Sequence, residues 1–348
     1  MKIVVGSIWV LSLLEVAARI AVAWDPLFRL IDQQDDSSWR LRWIHRPRAS
    51  EIVYAFDLYH RTRGWSVKPG LHAVPLPGGK RLSTNSQGLR GEREFTYERR
   101  PGVPRILLLG DSFTFGDDVA DDECYAGQLQ ALLPGCEVLN LGVHGYGHDQ
   151  MLIYLREEGV KYHADLVILG FVHQDMFRNV LAFRDFAKPR FELRAGQLVL
   201  THSPVPTPEA VLRSEFLRPK MWDLVNIAGQ ALRWKSGTTL EQSRAITAAL
   251  LAEMSATIAR AGAVPLFVYL PMADDLTQAD AAAAREQFLF QVSRACGARC
   301  CSLASVLHAD PAPAPSWFLP TQHWTPAAHR RIAAAMLERL GQEGLLAR

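Results

Sequence analysis

Short apolar runs alternate with longer helical stretches over the last two-thirds of the chain, and this alternation constrains the fold more than any other feature. Each run has the length and composition of a strand that is buried on both faces. The five runs are RILLLG (105–110), CEVLNLG (136–142), DLVILGF (165–171), VPLFVYL (264–270) and CCSLASVL (300–307). The β–α repetition predicts a three-layer, doubly wound parallel sheet of about five strands, with ligands binding at the carboxyl ends of those strands.

The stretches between the runs predict helices, and two segments fall outside the repetition. The predicted helices are DDECYAGQLQALL, DQMLIYLREEG, LEQSRAITAALLAEMSATIARAG and a final helix with Pro326 in its first turn. Residues 177–235 interrupt the domain of residues 105–348 with a predicted hairpin, FELRAGQLVL, and a Trp-containing helix, and are expected to form a lid or substrate wall. Residues 25–104 are rich in Pro, Gly, Arg and Trp without a sustained helical period, which predicts an accessory layer of short strands and turns.

Residues 1–24 form an almost entirely apolar segment, interrupted only by Glu15 and Arg19 after the first residues. The segment is long enough to span a bilayer, and the two charges are four residues apart, so they can pair on one helix face. Lys2 is the only charge before the run, which favours a cytoplasmic N-terminus and an exported remainder. A transmembrane anchor is the leading interpretation. The small residues at 21–23 also fit a signal-peptide cleavage site, and a soluble amphipathic helix is the third possibility.

The overall composition excludes some partners. The chain has 348 residues with 38 basic and 36 acidic side chains, a net charge of +2, so no global charge attracts nucleic acid. The five cysteines lack paired CxxC spacing, so we expect no metal site, and we expect no cofactor. Small buried thiols are the favoured interpretation. In an exported domain Cys124 with Cys136, or Cys296 with Cys300 or Cys301, could instead form a disulfide.

The stretch LLLGDSFTFG carries the most specific chemical signal. A buried strand runs into Gly110, Asp111 and Ser112, which places a hydroxyl at the carboxyl edge of the sheet and at the start of a helix. A nucleophile at that position can use the unsatisfied amide of the helix N-terminus to stabilise an oxyanion. Ser112 could equally serve only as the N-cap of that helix.

Three further segments are expected to meet Ser112 at the same edge. VLNLGVHGYGHDQ leaves the second strand with Gly142, where the missing side chain lets a backbone amide approach a ligand closely. VILGFVHQDMFRN leaves the third strand with Gln174, and His323 comes just before the last helix. A serine, backbone amides, a side-chain amide and an imidazole are the parts of an acyl-transfer site.

These motifs resemble those of the SGNH (GDSL-type) hydrolases, in particular the membrane-anchored bacterial members. The match runs from Arg105 to about Leu340, and STNSQGLRG just upstream resembles the lead-in of those members. The resemblance implies a flavodoxin-like fold, with Ser112 as nucleophile, His323 as general base, and the amides of Ser112 and Gly142 as oxyanion donors. The third block of the family has an asparagine as the last oxyanion donor, and here Gln174 stands in that place.

The support behind His323 is the second departure from the family pattern. The family normally has an aspartate two or three residues before its histidine, where this chain has Thr321 and Pro320. The Thr321 hydroxyl can accept a hydrogen bond from the imidazole, but a neutral group stabilises an imidazolium less than a carboxylate does. Asp310 or Asp275 could supply the missing acid, although sequence spacing places neither one.

The expected function is that of a serine-dependent ester hydrolase or O-acyl transferase that acts on a small-molecule or glycan acyl ester. The alternative is a catalytically weak or inactive protein of the same fold that binds a glycan or a partner enzyme. We expect the N-terminal helix to anchor the protein in a membrane, with the catalytic domain outside the cytoplasm. The sequence leaves open the acyl group, the acceptor, and the oligomeric state.

Overall fold

Helices, and not only strands and turns, make up the N-terminal part of the molecule. The computed structural model describes residues 2–46, 52–308 and 314–345. The first helices are α1 (Lys2–Ala23), α2 (Asp25–Ile31) and α3 (Asp36–Ile44). The prediction that residues 25–104 contain only strands and turns is therefore wrong for its first twenty residues. The Asp35 side chain starts α3 by accepting hydrogen bonds from the amides of Ser37 and Ser38, at 2.8 and 3.2 Å.

The two charges in the apolar segment have a structural role. The Glu15 carboxylate accepts hydrogen bonds from the backbone amides of Lys220 and Met221, each at 3.0 Å, and pairs with Arg19 at 2.9 Å. Those amides open a later helix, so Glu15 supplies acceptors that this helix N-terminus lacks and fastens α1 against it. Within the described ranges, no helix taken alone meets the length and hydropathy needed to cross a membrane; Ser7–Ala23 and Asp25–Ile31 meet it only together, bent by 95°.

Four short strands follow and form two hairpins. They are β1 (Asp57–His60) with β2 (Gly64–Val67), and β3 (Val74–Pro75) with β4 (Arg81–Leu82), each pair antiparallel. Trp65, Leu82 and Leu89 of this layer are buried in the same apolar cluster as Leu107 and Leu139 of the central sheet. The accessory layer therefore shares a core with the sheet.

The remaining elements alternate as the sequence predicts. The strands are β5 (Arg105–Gly110), β6 (Glu137–Gly142), β7 (Leu166–Phe171), β8 (Phe183–Arg184), β9 (Phe186–Ala187), β10 (Arg190–Arg194), β11 (Gln197–Thr201), β12 (Val264–Tyr269) and β13 (Arg299–Ser302). The helices are α4 (Ser112–Phe115), α5 (Tyr125–Leu132), α6 (His148–Glu157), α7 (Asp175–Arg178), α8 (Pro208–Leu217), α9 (Lys220–Lys235), α10 (Thr238–Arg260), α11 (Ala279–Cys296), α12 (Ala304–His308) and α13 (Pro326–Gln342).

The central sheet is parallel and has five strands in the order β13-β12-β7-β5-β6, which confirms the predicted fold. Alternate side chains of one strand point to opposite faces. Leu107 and Leu109 accordingly join a core that includes residues of α6, α10 and α11, while Ile106 and Leu108 join a core that includes residues of α5 and α13. Helices cover both faces, which produces the three predicted layers.

Two details of the prediction meet different outcomes. The hairpin predicted for FELRAGQLVL is present as β10 and β11. The last predicted strand, 300–307, is wrong in its second half, because β13 ends at Ser302 and α12 begins at Ala304. The Ser302 hydroxyl accepts a hydrogen bond from the Ala304 amide at 3.1 Å, which caps the helix and stops the strand.

Candidate active site

Ser112 lies where β5, an inner strand of the sheet, gives way to a helix. β5 ends at Gly110, and Ser112 is the first residue of α4, 4% exposed. Asp111 caps this helix through a 3.0 Å hydrogen bond from the Phe113 amide to its Oδ1 atom. The alternative that Ser112 serves as the N-cap is therefore wrong, and its hydroxyl is available for other contacts.

Glycines at the carboxyl edge of the sheet allow α4 to approach the strands closely. A Cβ atom on Gly142 would overlap the backbone nitrogen of Phe115, and one on Gly110 or Gly170 would overlap the Thr114 side chain. The position of Ser112 over the strand ends thus depends on the absence of side chains beneath α4.

His323, just before α13, contacts Ser112. Its Nε2 atom lies 3.0 Å from Ser112 Oγ, which is hydrogen-bond distance for proton transfer. Its Nδ1 atom lies 2.7 Å from Asp118 Oδ2, which is the distance of a charge-assisted hydrogen bond. The structure thus brings Ser112 and His323 together as expected, and adds a carboxylate that the sequence analysis did not identify.

Asp118 reaches His323 from the loop that follows α4. Its backbone has φ +67°, in the left-handed region that favours glycine and tolerates aspartate and asparagine better than most residues. The signal in the sequence was the doubled aspartate directly after GDSFTFG. The candidates from the sequence were Thr321, Asp310 and Asp275 instead. No spacing rule identifies a partner about two hundred residues away in sequence.

The other candidates for the supporting group have different contacts. The Thr321 side chain is hydrogen-bonded to the Asp118 carboxylate, so Thr321 contacts the acid that orients the imidazole, while Nδ1 itself faces Asp118. Asp275 accepts a hydrogen bond from the Tyr269 hydroxyl at 2.9 Å and pairs with Arg285 at 2.8 Å. Asp310 lies outside the described residues.

The charges around His323 favour its protonated form. Burial alone would lower the pKa of His323, but the hydrogen bond to Asp118 and the charges of Asp117, Asp118 and Asp111 outweigh it, so the pKa lies above its usual value. Asp117 Oδ2 is 3.9 Å from His323 Nε2, and burial raises the pKa of Asp117. The hydrogen bond to His323 lowers the pKa of Asp118 despite partial burial. Asp118 is therefore the carboxylate that stays ionised beside the imidazole.

Arg90 of the accessory layer holds the loop that carries both aspartates. Its guanidinium donates to the carbonyl oxygens of Gly116 at 2.7 Å and Val119 at 2.6 Å, and to Asp121 at 2.9 Å. The Arg90 side chain is 1% exposed. Arg90 belongs to the STNSQGLRG segment, so this segment fixes the loop on which the acid stands.

A buried ion cluster links the ends of the strands beneath Ser112. Arg178 Nη1 lies 3.0 Å from Asp111 Oδ2 and 2.6 Å from Asp175 Oδ1, and donates to the Tyr146 carbonyl at 2.9 Å. Burial, followed by the charge of Asp111, raises the pKa of Asp175 well above its usual value. One guanidinium therefore connects the loops after β5, β6 and β7.

The predicted oxyanion donors are in different states. The Ser112 amide lies in the first turn of α4, where the helix itself offers no partner. The Gly142 amide donates to the Asn140 side chain at 2.9 Å, so this donor is already engaged. Gln174 is exposed at the start of α7 and lines a cleft of about 510 Å³ together with Arg178 and Arg184. The oxyanion roles of these residues stay predictions.

One group within the described part of the chain has the composition of a metal site. His173, Asp274 and Asp275 each offer a ligand atom, all within 4.8 Å of one another. Arg285, however, pairs with Asp274 at 2.9 Å and with Asp275 at 2.8 Å. Because a guanidinium already balances both carboxylates, a cation bound here would have to displace it.

Ser112, His323 and Asp118 form the hydrogen-bonded sequence of groups found in a Ser-His-Asp triad, and Ser112 lies at the carboxyl ends of parallel strands. No protein-family model matches the chain, and no curated protein is similar enough to count as a match.

Several solved structures resemble the chain at a distance. One is a lipase/acylhydrolase from Enterococcus faecalis, with 13% identity over 69% of this chain and 97% of that one, at a TM-score of 0.42. Another is the psychrotrophic esterase EstA from a Pseudoalteromonas species, with 13% identity over 70% and 99%, at 0.42. A third is a member of the lipolytic protein G-D-S-L family from Veillonella parvula, with 13% identity over 68% and 97%, at 0.42. Likenesses this distant carry no weight for activity or substrate.

Proposed function

We propose that the protein is a serine-dependent ester hydrolase of the SGNH type. The observation that carries the proposal is the unbroken contact from Ser112 Oγ through His323 to Asp118, at 3.0 and 2.7 Å. A hydroxyl becomes a useful nucleophile when a base accepts its proton and a third group orients that base. All three parts lie at the edge of the sheet where ligands bind in this class of fold.

The mechanism follows from these contacts. Ser112 Oγ attacks the acyl carbonyl carbon while its proton moves to His323 Nε2, and Asp118 stabilises the resulting imidazolium. The tetrahedral oxyanion accepts a hydrogen bond from the Ser112 amide. Gln174 is a further proposed donor, and so is Gly142 once its amide leaves the Asn140 side chain. His323 then returns the proton to the departing alcohol, which leaves an acyl-Ser112 ester. Water, deprotonated by His323, attacks that ester and releases the acid.

The alternative is a weakly active or inactive protein that binds a glycan or a partner enzyme. The lack of an aspartate just before His323 was one of two reasons for this alternative, and Asp118 removes it because a carboxylate contacts Nδ1. The other reason, glutamine in place of asparagine at position 174, still stands. We therefore propose catalysis as the function and keep binding alone as the outcome that the next experiment distinguishes.

The direct test uses an activated fluorophosphonate probe and p-nitrophenyl acetate with the purified full-length protein. We expect one covalent adduct by intact mass, located on Ser112, together with ester turnover. Both should be lost in Ser112→Ala and kept in Ser214→Ala, a matched change at an exposed helix position. Turnover that is equal in Ser112→Ala and the unchanged protein, or an adduct on another residue, contradicts the proposal.

Acyl transfer is the second reaction that the same intermediate allows. A sugar hydroxyl that reaches the acyl-Ser112 ester before water would give an O-acylated glycan in place of the free acid. We propose hydrolysis as the main reaction and a glycan ester as one candidate substrate. Mass spectrometry of products formed with and without an added oligosaccharide measures the partition. A product that is mainly O-acyl oligosaccharide would make transfer, and not hydrolysis, the main reaction.

We further propose that the N-terminal helices attach the protein to a membrane, with the catalytic domain outside the cytoplasm. α1 exposes Ile8, Trp9 and Leu13 by 58, 66 and 66%, and α8 and α9 expose Phe216 and Trp222 by 82 and 58%. Exposed apolar patches of this kind mark membrane or partner surfaces. An alkaline phosphatase fused to the C-terminus should be active and sediment with membranes. An inactive fusion that stays in the cytosolic fraction contradicts both parts.

A further inference from the structure

A cavity of about 530 Å³ lies beside the triad and is formed mainly by the accessory layer. Asp117 and Asp118 stand at its wall, and Asp117 Oδ2 lies 3.9 Å from the same His323 nitrogen that contacts Ser112 Oγ. The cavity therefore borders the loop whose acid contacts His323, one residue shell from Ser112 Oγ. Its volume is within the usual range of small-molecule sites.

The walls of this cavity are apolar. Its largest apolar side chains are those of Tyr54, Phe56, Leu71, Val74, Leu76 and Phe115. Five of the six come from the segment before Arg105 and one comes from α4. The accessory layer thus contributes most of a binding surface that the central sheet lacks.

The two basic side chains in the walls are already engaged. Lys68 Nζ donates to the Ala55 carbonyl at 2.6 Å, and Arg90 is held by backbone carbonyls and Asp121. The carboxylates of Asp117 and Asp118, in the wall nearest Ser112 and His323, would repel an anionic ligand. Together these contacts favour a ligand part that is neutral and apolar over one that carries a carboxylate or phosphate.

We propose that this cavity is the acyl-chain site, and that the preferred substrates are esters of apolar acids longer than acetate. The inference rests on the proposed function and adds its substrate class. Burying each further CH₂ group of the chain in the transition state raises kcat/KM by about threefold to fourfold, until the chain outgrows the cavity.

The test measures kcat/KM for p-nitrophenyl acetate, butyrate, hexanoate and octanoate, which share one leaving group. We expect a rise of about tenfold for each pair of added CH₂ groups. Leu76→Trp, and independently Leu71→Trp, places a large ring inside the cavity. These variants should lower the ratio of octanoate to acetate kcat/KM at least tenfold. Leu132→Trp, at an exposed position on α5, is the matched control, and its kcat/KM should still increase with acyl-chain length.

The outcomes separate the two proposals. Activity on the acetate with no rise along the series leaves the hydrolase intact and overturns the acyl-chain site. A rise that persists in both cavity variants places the chain elsewhere and overturns it as well. A second series of acetate esters of longer alcohols covers the reverse assignment, because a rise confined to that series places the alcohol in the cavity. Absence of turnover on every ester, with no probe adduct, refutes the hydrolase itself.

Discussion

Removing the Asp118 carboxylate is the change that tests the candidate site most directly. At about 4 Å, unit charges attract by about 4 kcal/mol near a protein surface and by about 1 kcal/mol in bulk water. The Asp118 side chain is 24% exposed, so its charge should stabilise the imidazolium on His323 by an intermediate amount, about 2–3 kcal/mol. Asp118→Asn removes that stabilisation. Asp118→Asn should then lower kcat by roughly 30- to 150-fold.

This loss is smaller than the approximately 10⁴-fold effect of the equivalent change in a well-studied serine protease. Two features of the site explain the difference. Asp118 is partly solvated, and Asp117, 3.9 Å from His323 Nε2, remains to favour the charged ring.

The pH profile provides a second measurement of the same change. His323 must be neutral to accept the Ser112 proton, so kcat/KM rises with pH as the imidazolium loses its proton. In the unchanged protein the acidic limb should lie above pH 6.5, because Asp118 and Asp117 raise the pKa of His323 against the effect of burial. In Asp118→Asn that limb should move to lower pH.

The backbone at Asp118 supplies the control for folding. Glycine adopts φ +67° without strain, which offsets part of the loss of the Asp118 hydrogen bonds to His323 and Thr321, so Asp118→Gly should stay folded and unfold cooperatively on heating. Adding Thr321→Asp to Asp118→Gly then restores an acid at the position where the resembling family carries it. The kcat of the double variant should be at least tenfold higher than that of Asp118→Gly. A stable Asp118→Gly protein with undiminished kcat would refute the role assigned to Asp118.

Three further changes follow from the same contacts. Arg90→Met should lower kcat at least tenfold with a smaller change in KM, because the acid loop loses its hydrogen bonds to the guanidinium; steady-state kinetics on p-nitrophenyl acetate measures both. Gly142→Ala should destabilise the protein by more than about 2 kcal/mol in urea unfolding, because a Cβ there overlaps the Phe115 backbone. Burial lowers the pKa of His148 and of His329 to about 3, so each is neutral when folded and stability should fall as pH drops below 6.5. Below pH 6.5 the free energy of unfolding should fall by about 1.4 kcal/mol per pH unit for each histidine, as urea unfolding at pH 7 and 5 would measure. His329→Gln should remove the contribution of one histidine.

The sequence predicted those parts of the molecule that depend on local pattern. Buried parallel strands have a characteristic apolar composition, so the sequence predicted all five strands of the central sheet. The predicted last strand extends past Ser302, where β13 ends. The strand that ends at Gly110 placed Ser112 at the sheet edge, and the position of His323 before the last helix placed it nearby. These signals are short-range, since each is contained in about ten residues.

The helices of residues 25–44 were missed because their stability does not come from a long apolar period. α2 is only seven residues long, and α3 starts with a side-chain cap at Asp35 and packs Leu41 and Trp43 inward. Tertiary packing decides whether such short segments are helical.

The identity of the acid and the shape of the substrate site depended on tertiary structure alone. Asp118 and His323 are distant in sequence and meet because a loop after α4 turns through a left-handed residue toward the start of α13. That loop is held by Arg90 from the accessory layer, which also supplies most of the apolar cavity. Contacts between distant segments follow from how the elements pack, and no pattern within a single stretch encodes them. The sequence by itself therefore determined the sheet and the candidate nucleophile and base. Packing decided which carboxylate contacts that candidate base and which apolar surface lies beside it.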